Sequence, residues 1–194
     1  MRSLNAPSSF LEHIARSPVI PAVRDPRYIA PALDAPSRVV YILCGTVGAM
    51  TTLVRPFREA GKHAFVNVDL VDGLRADGAA VQFLADCGVT GIISTHTEAL
   101  RSARTRGLLA VQRSFLIDSH AAINALSALE RFRPDAVELL PALAAPYVVD
   151  RLSLRHPEVV PTAGGLIQSL AEIDALVRLG IRAVSVSDTS LWVA

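Results

Sequence analysis

Lysine is nearly absent from this chain. Lys62 is the only one, and the other 18 basic residues are arginines. No lysine stands at the C-terminal end of any apolar run, so a Schiff-base mechanism has no amine nucleophile there. Cysteine is scarce too. Cys44 and Cys87 sit far apart in different apolar segments, which excludes a metal-binding pattern and a disulfide framework. Free thiols in a reducing cytoplasm are expected instead. Aromatic residues make up only 5%, too few to suggest a base-stacking platform. There is no excess of one charge. A net charge of +1 excludes a globally basic nucleic-acid surface and a polybasic membrane anchor. No uninterrupted apolar run approaches the ~18 residues of a membrane span. The stretch Met1–Arg16 is broken by Glu12 and His13, so it is not read as a signal peptide. The expectation is a cytoplasmic protein with no membrane segment.

What is present is apolar. Hydrophobic residues make up 51% of 194 positions, enough for one domain, 1–194, with a sizeable core. Short runs rich in Val and Ile recur at Val19–Val23, Val39–Leu43, Ala64–Val68, Val89–Ile93, Leu108–Val111, Ala136–Leu139, Val159–Thr162 and Ala183–Val186. Such runs suit parallel strands buried on both faces. Helix-length segments separate most of them. In Asp118–Phe132, the residues Ile123, Leu126, Leu129 and Phe132 recur at helical spacing behind Asp118 as N-cap. Ser169–Leu179 begins with a capping box, Ser169 and Glu172, and stops at Gly180. Thr51–Ala60 stops at Gly61, and Pro56 within it predicts a kink or a shorter helix. Eight strand–helix units favour a compact (β/α)8 barrel of the TIM type, in the α/β class. An open α/β sheet is the alternative. Only Asp188 to Ala194 follow the eighth run, so the last helix is truncated or missing. Ser8–Arg16 is the candidate cover for the bottom of the barrel.

In this fold the C-terminal strand ends converge on one site. Gly164-Gly165 follows the seventh run and precedes a helix. Paired glycines let a backbone approach an anion closely, and a helix N-terminus favours phosphate. Ser185 and Ser187 flank Val186, which puts both hydroxyls on one side of the eighth strand. Together these four residues read as a phosphate cradle. The competing reading is a tight βα turn. Arg24 and Arg113 end strands that read as buried, so each guanidinium needs an acidic partner or an anionic ligand. Asp25, Asp69 and Glu138 are the candidate partners, or the groups that meet ligand hydroxyls. Asp69 and Asp72 lack a third carboxylate for a divalent cation, so no metal is expected. His96 is a candidate acid or base, or else an exposed first-turn residue. No Ser-His-Asp arrangement follows from spacing.

Several stretches, in order, carry a resemblance. They are Pro21-Ala22-Val23-Arg24-Asp25, Phe65-Val66-Asn67-Val68-Asp69-Leu70, Gly91-Ile92-Ile93-Ser94-Thr95, Gln112 to Ser119, Glu138-Leu139-Leu140-Pro141, Ala163-Gly164-Gly165-Leu166-Ile167, and Ser185 to Trp192. From about Val19 to Trp192 the chain resembles the glycerol-3-phosphate-responsive antiterminators of bacterial glycerol operons. The resemblance implies a barrel that senses glycerol 3-phosphate. It implies action on the leader of a glycerol-catabolism mRNA, so that transcription passes a terminator. It also implies no catalytic role and no cofactor beyond the regulatory ligand. The chain departs from the family pattern at Asn67, where a histidine is usual, and at His96, where arginine is common.

The alternative is a barrel enzyme, an isomerase or transferase, acting on a small phosphorylated substrate with Asp69 and Glu138 as acid and base. The RNA surface is not legible. Three arginine clusters are candidates: Arg101, Arg104 and Arg106; Arg131 with Arg133; and Arg151 with Arg155. Each also reads as a solvated helix face. The edge beside the eighth strand and the apolar tail Leu191-Trp192-Val193 are candidate self-association surfaces for a homo-oligomer.

Overall fold

The computed structural model describes residues 7–14 and 17–193. Eight parallel strands close into a barrel in sequence order. They are β1 Val19–Val23, β2 Val39–Ile42, β3 His63–Asn67, β4 Gly91–Ser94, β5 Leu109–Phe115, β6 Ala136–Leu140, β7 Val160–Gly164 and β8 Ala183–Val186. The β1–β8 pairing, with Val19 opposite Val184, closes the ring. The helices are α1 Pro7–Ile14, α2 Ile29–Asp34, α3 Met50–Glu59, α4 Gly78–Asp86, α5 Thr97–Thr105, α6 Ser119–Arg131, α7 Val149–Arg155 and α8 Leu170–Arg178. The predicted (β/α)8 barrel is therefore the observed fold, and the open sheet is excluded.

The strands are apolar on both faces because each face meets a different layer. Ile20, Val39, Tyr41, Phe65, Ile93 and Val111 belong to the inner cluster that fills the barrel. Val19, Val23, Val40, Ile42 and Val66 belong to the cluster shared with the surrounding helices. At the bottom, α1 enters the inner cluster through Phe10 and Ile14. The Phe10 ring meets Phe65 edge-on at 5.5 Å. This is the cover expected of Ser8–Arg16, although Arg16 itself lies outside the described residues. His13 stacks on His63 with ring centroids 3.6 Å apart.

Among the described residues no α-helix follows β8, in line with the truncated last unit. A single 3-10 turn, Thr189–Leu191, follows β8. Trp192 fills the gap: it is 3% exposed, and its indole N–H donates to the Val186 carbonyl at 2.7 Å. Leu191 is buried as well. Leu191 and Trp192 thus pack on their own barrel, while Val193 stays exposed. Pro56 does not shorten α3, which runs its full ten residues. Lys62, the sole lysine, donates from Nζ to the carbonyls of Ala32, Ala35 and Ser37. It ties down the C-terminal end of α2 and the chain beyond it, at the end of the barrel away from the mouth.

Candidate functional site

A cavity of about 100 Å³ opens at the C-terminal mouth between β1, β5, β7 and β8. Its lining includes Arg24, Arg113, Gly165, Leu166, Ser185 and Ser187. Its size suits a small metabolite and falls well below the ~300–1,000 Å³ of drug-sized sites. A larger groove, 460 Å³, lies beside α6 and α7. It lacks the polar strand-end groups that converge at the mouth.

The floor is a buried ionic triad. Glu138, on β6, is fully buried. Its Oε2 accepts from Arg113 Nε at 2.6 Å, and its Oε1 accepts from the Ser185 hydroxyl at 2.5 Å. The strands set this up, because Arg113 pairs with Glu138 across β5–β6 and Ser185 pairs with Gly164 across β7–β8. Tyr41 lies fully buried in the same interior. Burial first, and then the Glu138 charge, push its phenol well above the ordinary value, so it stays neutral.

Gly164 is explained by this triad. It is buried at the end of β7. A β-carbon there would collide with Ser185 Oγ and lie 3.0 Å from Glu138 Oε1. Gly164 therefore does not line the cavity, against its reading as half of the cradle. Gly165 does line it, with φ +78. Leu166 follows with φ +61, a conformation that costs a branched residue strain. The backbone N–H groups of Gly165, Leu166 and Ile167 make none of the loop or turn hydrogen bonds of the described residues.

The α8 N-terminus lies outside the cavity lining. Four residues separate the end of β7 from the first residue after Gly165 that caps α8, Ser169. Ser169 accepts from Glu172 N–H, and Glu172 accepts from Gln168 N–H. The capping box satisfies its own helix end, so an anion at the mouth would meet the loop and not the helix.

The other named residues divide. Arg24 lines the cavity, is exposed, and makes no hydrogen bond or ion pair among the described residues. The sequence places it at a buried strand end with either an acidic partner or an anionic ligand; the structure leaves it exposed and without an acidic partner among the described residues. Ser187 lies one residue past β8, is exposed, and still lines the cavity with Ser185. Asp25 is not in the cavity. It caps the 3-10 turn Pro26–Tyr28 through Arg27 N–H and pairs with Arg27 at 3.5 Å. Asp69 is not in it either. It accepts from the Ser94 hydroxyl, the Thr95 N–H and the Thr95 hydroxyl, with His96 Nδ1 at 3.3 Å. Burial pushes the Asp69 carboxyl up, but those hydrogen bonds outweigh it and hold it below its usual value. Glu138 supports the floor and does not line the cavity, since both its oxygens are taken. His96 is exposed. Among the described residues no cluster of His, Cys, Asp or Glu could hold a metal ion. The residues missed by sequence reasoning are apolar: Ala22, Leu43, Leu140, Leu166 and Ile167. No chemical signal marks them apart from other core positions.

Two of the arginine clusters merge in space. Arg101 donates to the Arg131 carbonyl, and Arg104 to the Arg133 carbonyl and to Asp135. Arg133 pairs with Glu158 at 3.2 Å. Much of this charge is therefore spent within the protein.

Fold and mouth together define a small (β/α)8-barrel protein with a basic cavity at its C-terminal face. The chain belongs to the glycerol-3-phosphate responsive antiterminator family, whose profile matches residues 19–192. It is similar to the glycerol uptake operon antiterminator regulatory protein of Listeria monocytogenes. That match has 31% identity and a TM-score of 0.83, and covers 90% of this chain and 94% of that one. It is also similar to a glycerol uptake operon antiterminator-related protein of Thermotoga maritima, at 28% identity and a TM-score of 0.81, covering 90% and 96%. The uncharacterized protein YgcP of Escherichia coli K12 is 31% identical over 186 residues, 94% of this chain and 95% of that protein. A putative deoxyribose-phosphate aldolase of Coccidioides immitis, at 10% identity and a TM-score of 0.69, shares the fold alone. No helix among the described residues is long and apolar enough to cross a membrane.

Proposed function

We propose that the mouth cavity binds glycerol 3-phosphate, and that its occupancy controls antitermination on the leader of a glycerol-catabolism mRNA. Arg24 is the observation that supports the ligand reading best. An exposed guanidinium without a carboxylate partner faces the same small cavity as Arg113, whose charge Glu138 only partly occupies through Nε. A phosphate would meet these two guanidinium groups, the Ser187 hydroxyl and the unbonded amides of Gly165 to Ile167. The glycerol portion would meet the Ser185 oxygen and the apolar wall of Leu43 and Leu140.

The same geometry favours a sensor over a catalyst. The acidic group nearest the cavity, Glu138, already accepts at both oxygens, so it is poorly placed to move a proton. The only lysine is spent on three carbonyls away from the mouth. Ligand binding would act by linkage, favouring one state of the protein over another. At 100 times its dissociation constant the ligand supplies up to ~2.7 kcal/mol toward that state. The RNA role rests on family membership.

Filter binding of the purified chain to RNA from glycerol-operon leaders, with and without glycerol 3-phosphate, tests this reading. A ligand-dependent and salt-sensitive affinity is expected. Turnover of glycerol 3-phosphate, abolished in Glu138→Gln, would instead establish an enzyme.

A further inference from the structure

The groove beside α6 and α7 is separate from the mouth cavity. Ile117, Ile123 and Tyr147 line it and are 82%, 54% and 77% exposed. Leu143, on the same 3-10 helix as Tyr147, is 63% exposed. Ile123 keeps helical phase with the buried Leu126 and Leu129, yet no element among the described residues covers it. Scattered exposed apolar residues need no explanation, but several around one groove mark a contact surface.

The charges at the groove select the occupant. Asp118 and Arg151 both line it. The Asp118 carboxylate accepts from the Ala121 N–H, and the Arg151 guanidinium donates to the Tyr147 carbonyl. Neither has an oppositely charged partner among the described residues. One acid and one base beside an apolar floor suit a self-complementary surface: a two-fold axis sets Arg151 of one copy against Asp118 of the other. A nucleic-acid backbone would need a surface of one sign. The groove also adjoins the mouth. The Ala142 N–H, at the head of the 3-10 helix that carries Leu143 and Tyr147, donates to the Gly165 carbonyl at 3.3 Å.

We infer that this groove is the interface of a homodimer, with a second copy of the chain as its occupant. Sedimentation equilibrium of the full chain over a wide concentration range tests it. The wild type sediments as a dimer. Ile117→Asp and Arg151→Asp, both at exposed positions, each raise the dissociation constant by about tenfold or more with unchanged circular dichroism. Val193→Asp, in the exposed tail, leaves the dimer intact. A wild type that stays monomeric at every concentration overturns the inference. So does a dimer that Ile117→Asp does not weaken, or one that Val193→Asp dissociates.

Discussion

Replacing Gly164 by alanine tests how the mouth is held together. The new β-carbon would collide with Ser185 Oγ, lie 3.0 Å from Glu138 Oε1 and 3.3 Å from the Ser185 carbonyl oxygen. Gly164 has no positive φ, so contact, and not backbone conformation, sets the cost. Ser185 must turn away, which breaks its hydrogen bond to a buried carboxylate, worth about 1.5–3 kcal/mol. Overpacking adds about 1–3 kcal/mol. A restricted unfolded chain returns about 0.4–1 kcal/mol. The net loss is about 2–5 kcal/mol. Urea unfolding followed by circular dichroism and Trp192 fluorescence measures it. Ser185→Ala alone loses the hydrogen bond and about 1.5–3 kcal/mol. In that background Gly164→Ala adds little, because only the approaches to Glu138 and to the 185 carbonyl remain. The coupling is about 1–3 kcal/mol. If Gly164→Ala costs as much in the Ser185→Ala background as in the wild type, the Ser185–Glu138 contact is not what requires the glycine.

Other expectations follow from single contacts. Arg113→Met strands a fully buried carboxylate and costs about 3–5 kcal/mol, while Arg113→Met with Glu138→Leu recovers most of it; a double variant as unstable as the single one would refute the ion-pair account. Trp192→Ala opens the gap beside β8, where only a 3-10 turn follows the strand, and costs about 3–5 kcal/mol, read as a lower urea midpoint at unchanged slope. Burial, with the charges of His13 and Arg38, pushes the His63 imidazole from 6.5 down to about 4. Between those values the unfolded chain binds more protons than the folded one, so stability is full above pH 6.5 and is lost as pH falls toward 4. The slope stays below ~1.4 kcal/mol per pH unit, since solvent screens a partly exposed pair. His63→Asn flattens the urea midpoint against pH across this window, and an undiminished slope would refute the assignment.

The barrel was legible because period and composition agree along its length. β1 and β8 begin and end where the apolar runs do. β5 was not fully legible: it continues through Gln112, Arg113 and Ser114 to Phe115, and polar residues hide a strand whose partners lie on β6. Only some of the named strand-end residues come together in space. Gly165, Ser185 and Ser187 meet at one cavity, and Arg24 and Arg113 join them. Gly164 and Glu138 lie beneath it, and no local pattern separates a glycine that admits a ligand from one that admits a neighbouring side chain. Asp25 and Asp69 satisfy their own loops, which depends on turn geometry that sequence spacing leaves open. Ile123 had the phase of a core residue, and only the packed structure leaves it outside.

What the mouth cavity holds decides its role. Isothermal titration of the purified chain with glycerol 3-phosphate measures this. Arg24→Met is the decisive comparison, because Arg24 is exposed and makes no hydrogen bond or ion pair among the described residues, so its loss leaves the fold intact. Saturable binding at one ligand per chain is expected, with weaker binding of glycerol and of inorganic phosphate, and loss of binding in Arg24→Met. No binding by the wild type, or undiminished binding by Arg24→Met, would contradict this assignment.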